Sequence, residues 1–242
     1  MNREYHKWWS WRLSREMELL VIGHAGAKVL VFPTREGRFY EYEDLRIPLM
    51  LQEKIAAGQL QFFCVDGIYG ESLYCPWAHP EDRIRRHAQY EEYILHEVFP
   101  FMNARNPDPC VIAHGCSLGA YQAANIAFRH PHLFRKLAAF SGRYDLTLNV
   151  EHFSNLFSGY YSDSVHEHTP THFLPKVDCP RQLTRLREMD IVLTIGKEDP
   201  FRENNELLSS ILQRKGIDHQ IHFWEDRAHS GYYWRRMAQI YV

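Results

Sequence analysis

No apolar run in the chain approaches the roughly twenty residues that a membrane-spanning helix needs. The opening residues, Met-Asn-Arg-Glu-Tyr-His-Lys-Trp-Trp, lack the apolar core of a secretion signal. There is no basic excess: 28 Lys and Arg stand against 30 Asp and Glu, a net charge of -2. A field able to hold nucleic acid or an anionic membrane is therefore not expected. Cysteine is scarce and unpatterned. Cys64, Cys75, Cys110, Cys116 and Cys179 are odd in number and show neither zinc-site nor disulfide-framework spacing. Reduced thiols in a cytoplasmic protein are the expectation. Internal repeats, low-complexity tracts and linkers are also missing, so residues 1–242 are read as one domain. A chain of this length buries on the order of 70% of its unfolded surface, enough for a substantial core. Composition leaves a monomer and a homo-oligomer both open.

What is present centres on one stretch. Val111-Ile112-Ala113 is a β-type run, and after His114 it leads into Gly115-Cys116-Ser117-Leu118-Gly119. An alanine-rich segment comes next, with Ala120, Ala123, Ala124 and Ala127 at helical spacing. Strand, tight turn and helix around Gly-x-Ser-x-Gly is the context of a nucleophile elbow, with Ser117 at its apex. Gly115 and Gly119 are needed where side chains would collide as strand and helix pack. A turn that merely happens to contain serine is the bland alternative. Cys116 is a rival nucleophile out of frame, since His114 and not glycine stands two residues before it; it reads as a packing residue.

Around this centre, strands and helices alternate. Residues 5–13 and 16–22 read as a hairpin turning at Ser14-Arg15. Residues 28–32, 60–65, 137–142, 191–196 and 219–224 read as strands. Helices are expected over 44–57, 81–102, 180–187, 203–215 and 231–241. Residues 143–187 form an irregular excursion with little periodicity outside their last helix. The pattern implies an α/β fold with a mostly parallel sheet covered on both faces and an antiparallel N-terminal hairpin.

A neutral serine hydroxyl needs a histidine as base and a carboxylate to orient that histidine. In open α/β sheets such partners lie beyond the carboxyl ends of later strands, in the order Ser, acid, His. Asp199, in Gly196-Lys197-Glu198-Asp199-Pro200, follows the strand 191–196, and His229 falls between the last strand and the last helix. Asp199 is preferred, with Glu198 and Asp145 open as alternatives; an N-cap or turn role is the bland reading of Asp199. His229 is preferred over His219 and His222. Oxyanion donors are expected from the Leu118 N–H and from an N–H of the loop after Phe32-Pro33, at Thr34 or Arg35.

These residues carry a family resemblance over nearly the whole chain. It rests on Val31-Phe32-Pro33-Thr34, Glu71-Ser72-Leu73-Tyr74, Gly115-Cys116-Ser117-Leu118-Gly119, Phe140-Ser141-Gly142, Gly196-Lys197-Glu198-Asp199 and His229-Ser230-Gly231-Tyr232-Tyr233-Trp234. The chain resembles the α/β-hydrolase fold, and within it the putative-esterase group. That group includes esterase D (S-formylglutathione hydrolase), feruloyl esterases, mycolyltransferase antigens and polyhydroxyalkanoate depolymerase-like proteins. The resemblance implies a serine esterase with a Ser-Asp-His triad, no large helical lid, and no metal or organic cofactor. The chain departs from the group at the early loop, which is not glycine-rich, at Ala120 after the elbow, and at Ser230-Gly231 after the histidine.

The expected function is therefore hydrolysis of small-molecule carboxylic esters through an acyl-enzyme on Ser117. Acyl transfer by the same intermediate, and a catalytically silent binding protein, are the alternatives. His166-Glu167-His168 hints at a metal site but offers too few ligands. Glu71, Ser72 and Tyr74 could border the pocket or pin their loop. Tyr144, Tyr160 and Tyr161 could line the site or pack at the surface.

Overall fold

The computed structural model of the chain describes all 242 residues. Eight strands form one sheet: β1 (Arg3–Ser10), β2 (Arg15–Ile22), β3 (Ala27–Phe32), β4 (Leu60–Val65), β5 (Val111–Cys116), β6 (Lys136–Phe140), β7 (Asp190–Gly196) and β8 (Gln220–Trp224). Their order across the sheet is β1-β2-β4-β3-β5-β6-β7-β8. β1 pairs antiparallel with β2, and β2 antiparallel with β4. Every pairing from β4 to β8 is parallel. The architecture expected from the alternating pattern is the one observed.

The inner strands are apolar on both faces because both faces are covered. Side chains alternate between two cores. Leu30, Phe32, Phe63, Val65 and Ala113 enter the larger one, while Val29, Val31, Phe62, Cys64, Ile112 and Cys116 enter the other. Five helices matter here: α1 (Pro80–Tyr93), α2 (Phe99–Arg105), α3 (Leu118–Arg129), α4 (Arg202–Arg214) and α5 (Gly231–Tyr241). Ala123 and Ala127 of α3 lie in the first core, with Tyr90 of α1 and Leu208 of α4. Trp234 and Met237 of α5 lie in the second.

Four departures from the sequence reading have local causes. The hairpin turns over residues 11–14, not at Ser14-Arg15, because Ser10 pairs with Arg15. Ser10 Oγ accepts from the Leu13 N–H at 3.1 Å, and Ser14 takes φ 52°. The helix expected over 44–57 is three short pieces, Glu41–Asp44, Ile47–Met50 and Gln52–Ala56. Pro48 has no N–H to continue the first piece, and the chain restarts after Arg46 at φ 57°. The long helix beginning at Pro80 reaches Arg105 but passes through a π-helical segment, Ile94–Val98. Pro100 lies just beyond it and cannot donate to the His96 carbonyl, so the wider turn accommodates the missing bond. The strand expected to run to 142 ends at Phe140, where Ser141 turns away at φ 54°. Within the excursion 143–187 only short helices form, among them the expected Pro180–Arg187.

Behind α3 lies a buried polar layer that fixes the helix against α1. Glu91 accepts from Arg129 Nε at 3.0 Å, and His130 Nε2 lies 2.9 Å from the same carboxyl oxygen. Tyr121 donates to the His168 carbonyl at 2.7 Å, so its oxygen is free to accept from His87 Nε2 at 3.1 Å. Gln122 Nε2 then donates to His87 Nδ1. That pattern suits a neutral imidazole. Burial pushes His87 down to about 3 and His114 down to about 4. Burial alone would raise Glu91, but the His130 bond and Arg129 outweigh it and hold the carboxyl at about 2.

These shifts predict acid sensitivity. Below about pH 6.5 the unfolded chain takes up protons on residues 87 and 114 that the folded chain refuses, so stability falls as pH drops from about 6.5 toward 4. The contribution of Glu91 is present above its unfolded value of about 4.5 and is lost only further down. Urea midpoints should fall between pH 7 and pH 5, and less steeply in His87→Gln. An unchanged midpoint across that range would contradict the buried neutral imidazoles.

Candidate active site

β5 delivers Ser117 to the carboxyl rim of the sheet and α3 leaves it at once. The turn is tight enough that glycine is required on both sides. A Cβ on Gly115 would overlap the Gly119 carbonyl and lie 2.9 Å from the Ala120 nitrogen. A Cβ on Gly119 would overlap the Phe32 carbonyl and lie 2.8 Å from that of Pro33. Ser117 itself sits at φ 55°, ψ -122°, a sparsely populated backbone region for a residue with a side chain. Its N–H donates to the Phe140 carbonyl at 2.8 Å.

Serine at a helix N-cap ordinarily turns its hydroxyl onto the first turn. Ser117 makes no such bond. Its Oγ instead lies 2.9 Å from His229 Nε2, and His229 Nδ1 lies 2.7 Å from Asp199 Oδ2. With Nδ1–H donating to the carboxylate, Nε2 is the acceptor for the serine hydroxyl. The structure thus brings together residues 117, 199 and 229, from the exits of β5, β7 and β8. The serine does not read as a simple turn residue.

The other candidates are elsewhere. Cys116 is fully buried beside the Tyr42 hydroxyl, 3.6 Å away, and burial pushes its thiol well up. Glu198 is exposed. Asp145 is engaged by His172 at 3.0 Å and by Thr147. His219 is held by Ser209, and His222 stacks on Tyr241.

Asp199 does two things. Oδ2 meets the imidazole, while Oδ1 accepts the Phe201 N–H at 2.9 Å. The turn role considered for Asp199 and the orienting role therefore coexist on one carboxylate. The loop carrying His229 is held to β7 by Lys197 N–H to Trp224 O at 2.8 Å and Glu198 N–H to Asp226 O at 3.0 Å. Asp226 and Ala228 both adopt positive φ. Ser141 was not singled out from the sequence as a positioning residue. Its Oγ donates to the Ala228 carbonyl at 3.1 Å and accepts from Trp234 Nε1 at 3.1 Å. The Trp234 ring packs edge-on against His229 with centroids 5.4 Å apart. A Ser-Gly after an apolar strand is a faint signal for such a bridge.

Of the expected oxyanion donors, the Leu118 N–H has no acceptor within the protein and lies at the start of a twelve-residue helix. That end of the helix carries partial positive charge. Thr34 is a correction. Its N–H donates to Glu41 Oε2 at 2.8 Å and its hydroxyl to Glu41 Oε1, so it is not free. The Arg35 N–H has no acceptor within the protein. Glu41 was missed; burial raises its carboxyl, and the two Thr34 bonds oppose that rise.

The remaining aromatic and polar candidates divide. Glu71 pairs with Arg15 and Arg86, and Ser72 donates to the Ile68 carbonyl, so both pin their loop. Tyr74 lines an open cleft of about 410 Å³ together with Arg35. Tyr144 is fully buried and does not line the site. Tyr160 packs at the edge of the cluster around Leu118, and Tyr161 is exposed, beside His166 and His172. His166 and His168 diverge: the first meets Tyr161, the second is buried 3.8 Å from Glu91.

A mostly parallel sheet covered by helices on both faces, with an antiparallel N-terminal hairpin, is the α/β-hydrolase fold. A family model described as Putative esterase matches residues 49–238. The chain belongs to that family and is a carboxylic ester hydrolase. Its fold is similar to that of a ferulic acid esterase (TM-score 0.75, 13% identity, 97% of this chain and 93% of the other). It is similar to an S-formylglutathione hydrolase from Agrobacterium tumefaciens (0.73, 14%, 98% and 92%). It is similar also to the fluorophosphonate-binding serine hydrolase F of Staphylococcus aureus (0.68, 16%, 99% and 96%). A search of curated protein sequences gives no match. No helix is long and apolar enough to cross a membrane.

The glycine constraint is testable. Gly119→Ala should destabilise the protein by about 3 kcal/mol or more, since backbone carbonyls cannot step aside as a side chain can. It should also lower ester turnover by two orders of magnitude or more, because a displacement of about 1 Å in positioned groups costs about that much. Thermal melting and kcat/KM read the two effects.

Proposed function

We propose that Ser117, His229 and Asp199 hydrolyse carboxylic esters through an acyl-enzyme. The observation that carries this reading is the unbroken chain of bonds from the Ser117 hydroxyl through His229 to Asp199. The Ser117 oxygen attacks the ester carbonyl carbon while its proton passes to His229 Nε2. Negative charge on the former carbonyl oxygen is met by the Leu118 and Arg35 N–H groups, both without acceptors in the protein. The imidazolium, steadied by Asp199, gives the proton to the departing alcohol oxygen. Water then attacks the acyl-enzyme, losing a proton to Nε2, and Ser117 leaves with that proton restored.

The two unoccupied N–H groups favour a working hydrolase over a silent binding protein. We take residues 1–242 as one esterase domain acting on a small-molecule ester, in the cytoplasm, with its five free cysteines reduced. No part of the mechanism requires a metal or an organic cofactor.

A fluorophosphonate probe should label the wild type and fail to label Ser117→Ala, whose turnover of 4-nitrophenyl acetate should fall by about three orders of magnitude or more. Labelling that persists in Ser117→Ala would refute the assignment. Asp199→Asn should keep the fold and lose about 10⁴-fold in kcat, because the amide favours the wrong imidazole tautomer.

A further inference from the structure

Of Arg15, Arg35 and Arg38, which line the cleft beside Tyr74, and Arg143, which follows β6, two differ from the rest. Arg15 pairs with Glu71, and Arg38 with Glu18 and Asp66. Arg35 and Arg143 have no carboxylate within salt-bridge distance of their guanidinium groups. Arg143 is 5% exposed. Its Nε and Nη2 donate to the carbonyls of Asp145, Leu146, Leu148 and Ser154. None of these backbone bonds uses Nη1. A buried guanidinium without a counter-ion is costly unless something anionic completes it.

Topology says where these groups meet. Arg143 leaves from β6, whereas Tyr74 follows β4 and Arg35 follows β3. The Arg143 guanidinium neighbours the Tyr74 hydroxyl, to which it can donate, and lies over the Phe201 ring, 5.2 Å from its centroid. The Arg35 guanidinium lies over the Tyr74 ring, 4.3 Å from its centroid. β5 runs between β6 and β3, so this row crosses the sheet rim at the end of β5. Leu118, next to Ser117, packs in the same cluster as Tyr74 and Leu146. Arg35 and Tyr74 also line the 410 Å³ cleft, on the β3–β4 side of Ser117. His229 approaches from β8, the opposite side.

We infer that Arg143, Tyr74 and Arg35 form a subsite for an anionic group on the acyl part of the substrate, so that the preferred esters are monoesters of dicarboxylic acids or other acids carrying a second negative charge. This rests on the hydrolase mechanism proposed above. The acyl assignment follows from proton delivery: the departing alcohol must lie at His229, so the part of the substrate directed away from His229 is the acyl chain. Arginine suits the task because its planar fork meets a carboxylate through two bonds.

Mono-4-nitrophenyl glutarate and 4-nitrophenyl valerate have similar acyl lengths and share a leaving group, but only the first carries a carboxylate. In the wild type, kcat/KM for the glutarate should exceed that for the valerate by tenfold or more, the scale of a charge-assisted hydrogen bond. The ratio should shrink several-fold between about 0.02 M and about 0.5 M salt. Arg35→Gln should lower the ratio by about tenfold, and Arg35→Lys should restore part of it. A wild-type ratio at or below one, or a ratio unmoved by Arg35→Gln, overturns the subsite. If the valerate is not turned over and the fluorophosphonate does not label, the hydrolase reading has failed instead. Calorimetry with glutaranilate, the amide analogue, then decides: salt-sensitive binding absent for valeranilide upholds the subsite, and no binding overturns it.

Discussion

The first turn of α3 rests directly on the end of β3, backbone against backbone, and the rest of the site depends on that approach. Gly119 admits the Phe32 and Pro33 carbonyls where a Cβ would stand, and Gly115 admits the Gly119 carbonyl. A helix brought in so closely must start immediately after the strand. Ser117, at the corner, is forced to φ 55° and ψ -122°. Backbone strain of this kind costs about 1–3 kcal/mol. The Ser117 N–H to Phe140 bond and the burial of almost every residue of α3 hold the corner in place. The same geometry turns the hydroxyl away from the helix end it would otherwise cap. The strain therefore exposes a serine oxygen to the solvent side of the rim and sets the Leu118 N–H beside it.

A second close approach brings the histidine. A Cβ on Gly196 would overlap the Arg227 carbonyl, so β7 and the loop after β8 run almost in contact. Asp226 and Ala228 take left-handed conformations to make the reversal, and Ser141 ties the Ala228 carbonyl to the Trp234 indole. β6 thus contributes twice at its exit. Ser141 steadies the loop that carries His229, and two residues later Arg143 crosses in the other direction toward Tyr74. Ser141 and Arg143 adjoin Gly142, whose missing Cβ leaves room for the Tyr144 ring.

The alternation of strands and helices was readable because inner strands buried on both faces are apolar throughout, and because Gly-x-Ser-x-Gly states its steric need in its own letters. Residues 117, 199 and 229 were legible from chain order and their places after strands. What was not legible depends on backbone detail. Pro48 and Pro100 each lack a donor, yet one breaks its helix into pieces and the other is absorbed by a π-helical segment. The pattern of apolar residues does not distinguish the two outcomes. The identity of the free early-loop amide was hidden as well, since it depends on which N–H a neighbouring side chain has already taken.

That neighbour is Glu41, and it bears on the departure of the early loop from a glycine-rich sequence. A glycine-rich loop can turn its amides inward because little side-chain bulk opposes it. Residues 34–38 have only Gly37. Here a carboxylate takes both donors of Thr34, while Gly37 N–H closes the turn on the Thr34 carbonyl at 3.1 Å. Gly37 must lack a side chain because the Glu41 carboxylate occupies the place of its Cβ. With Thr34 held on one side and the Arg35 guanidinium stacked on Tyr74 on the other, the intervening Arg35 amide is left without a partner in the protein. One half-buried acid and one stacked cation thus hold in place a loop that has a single glycine.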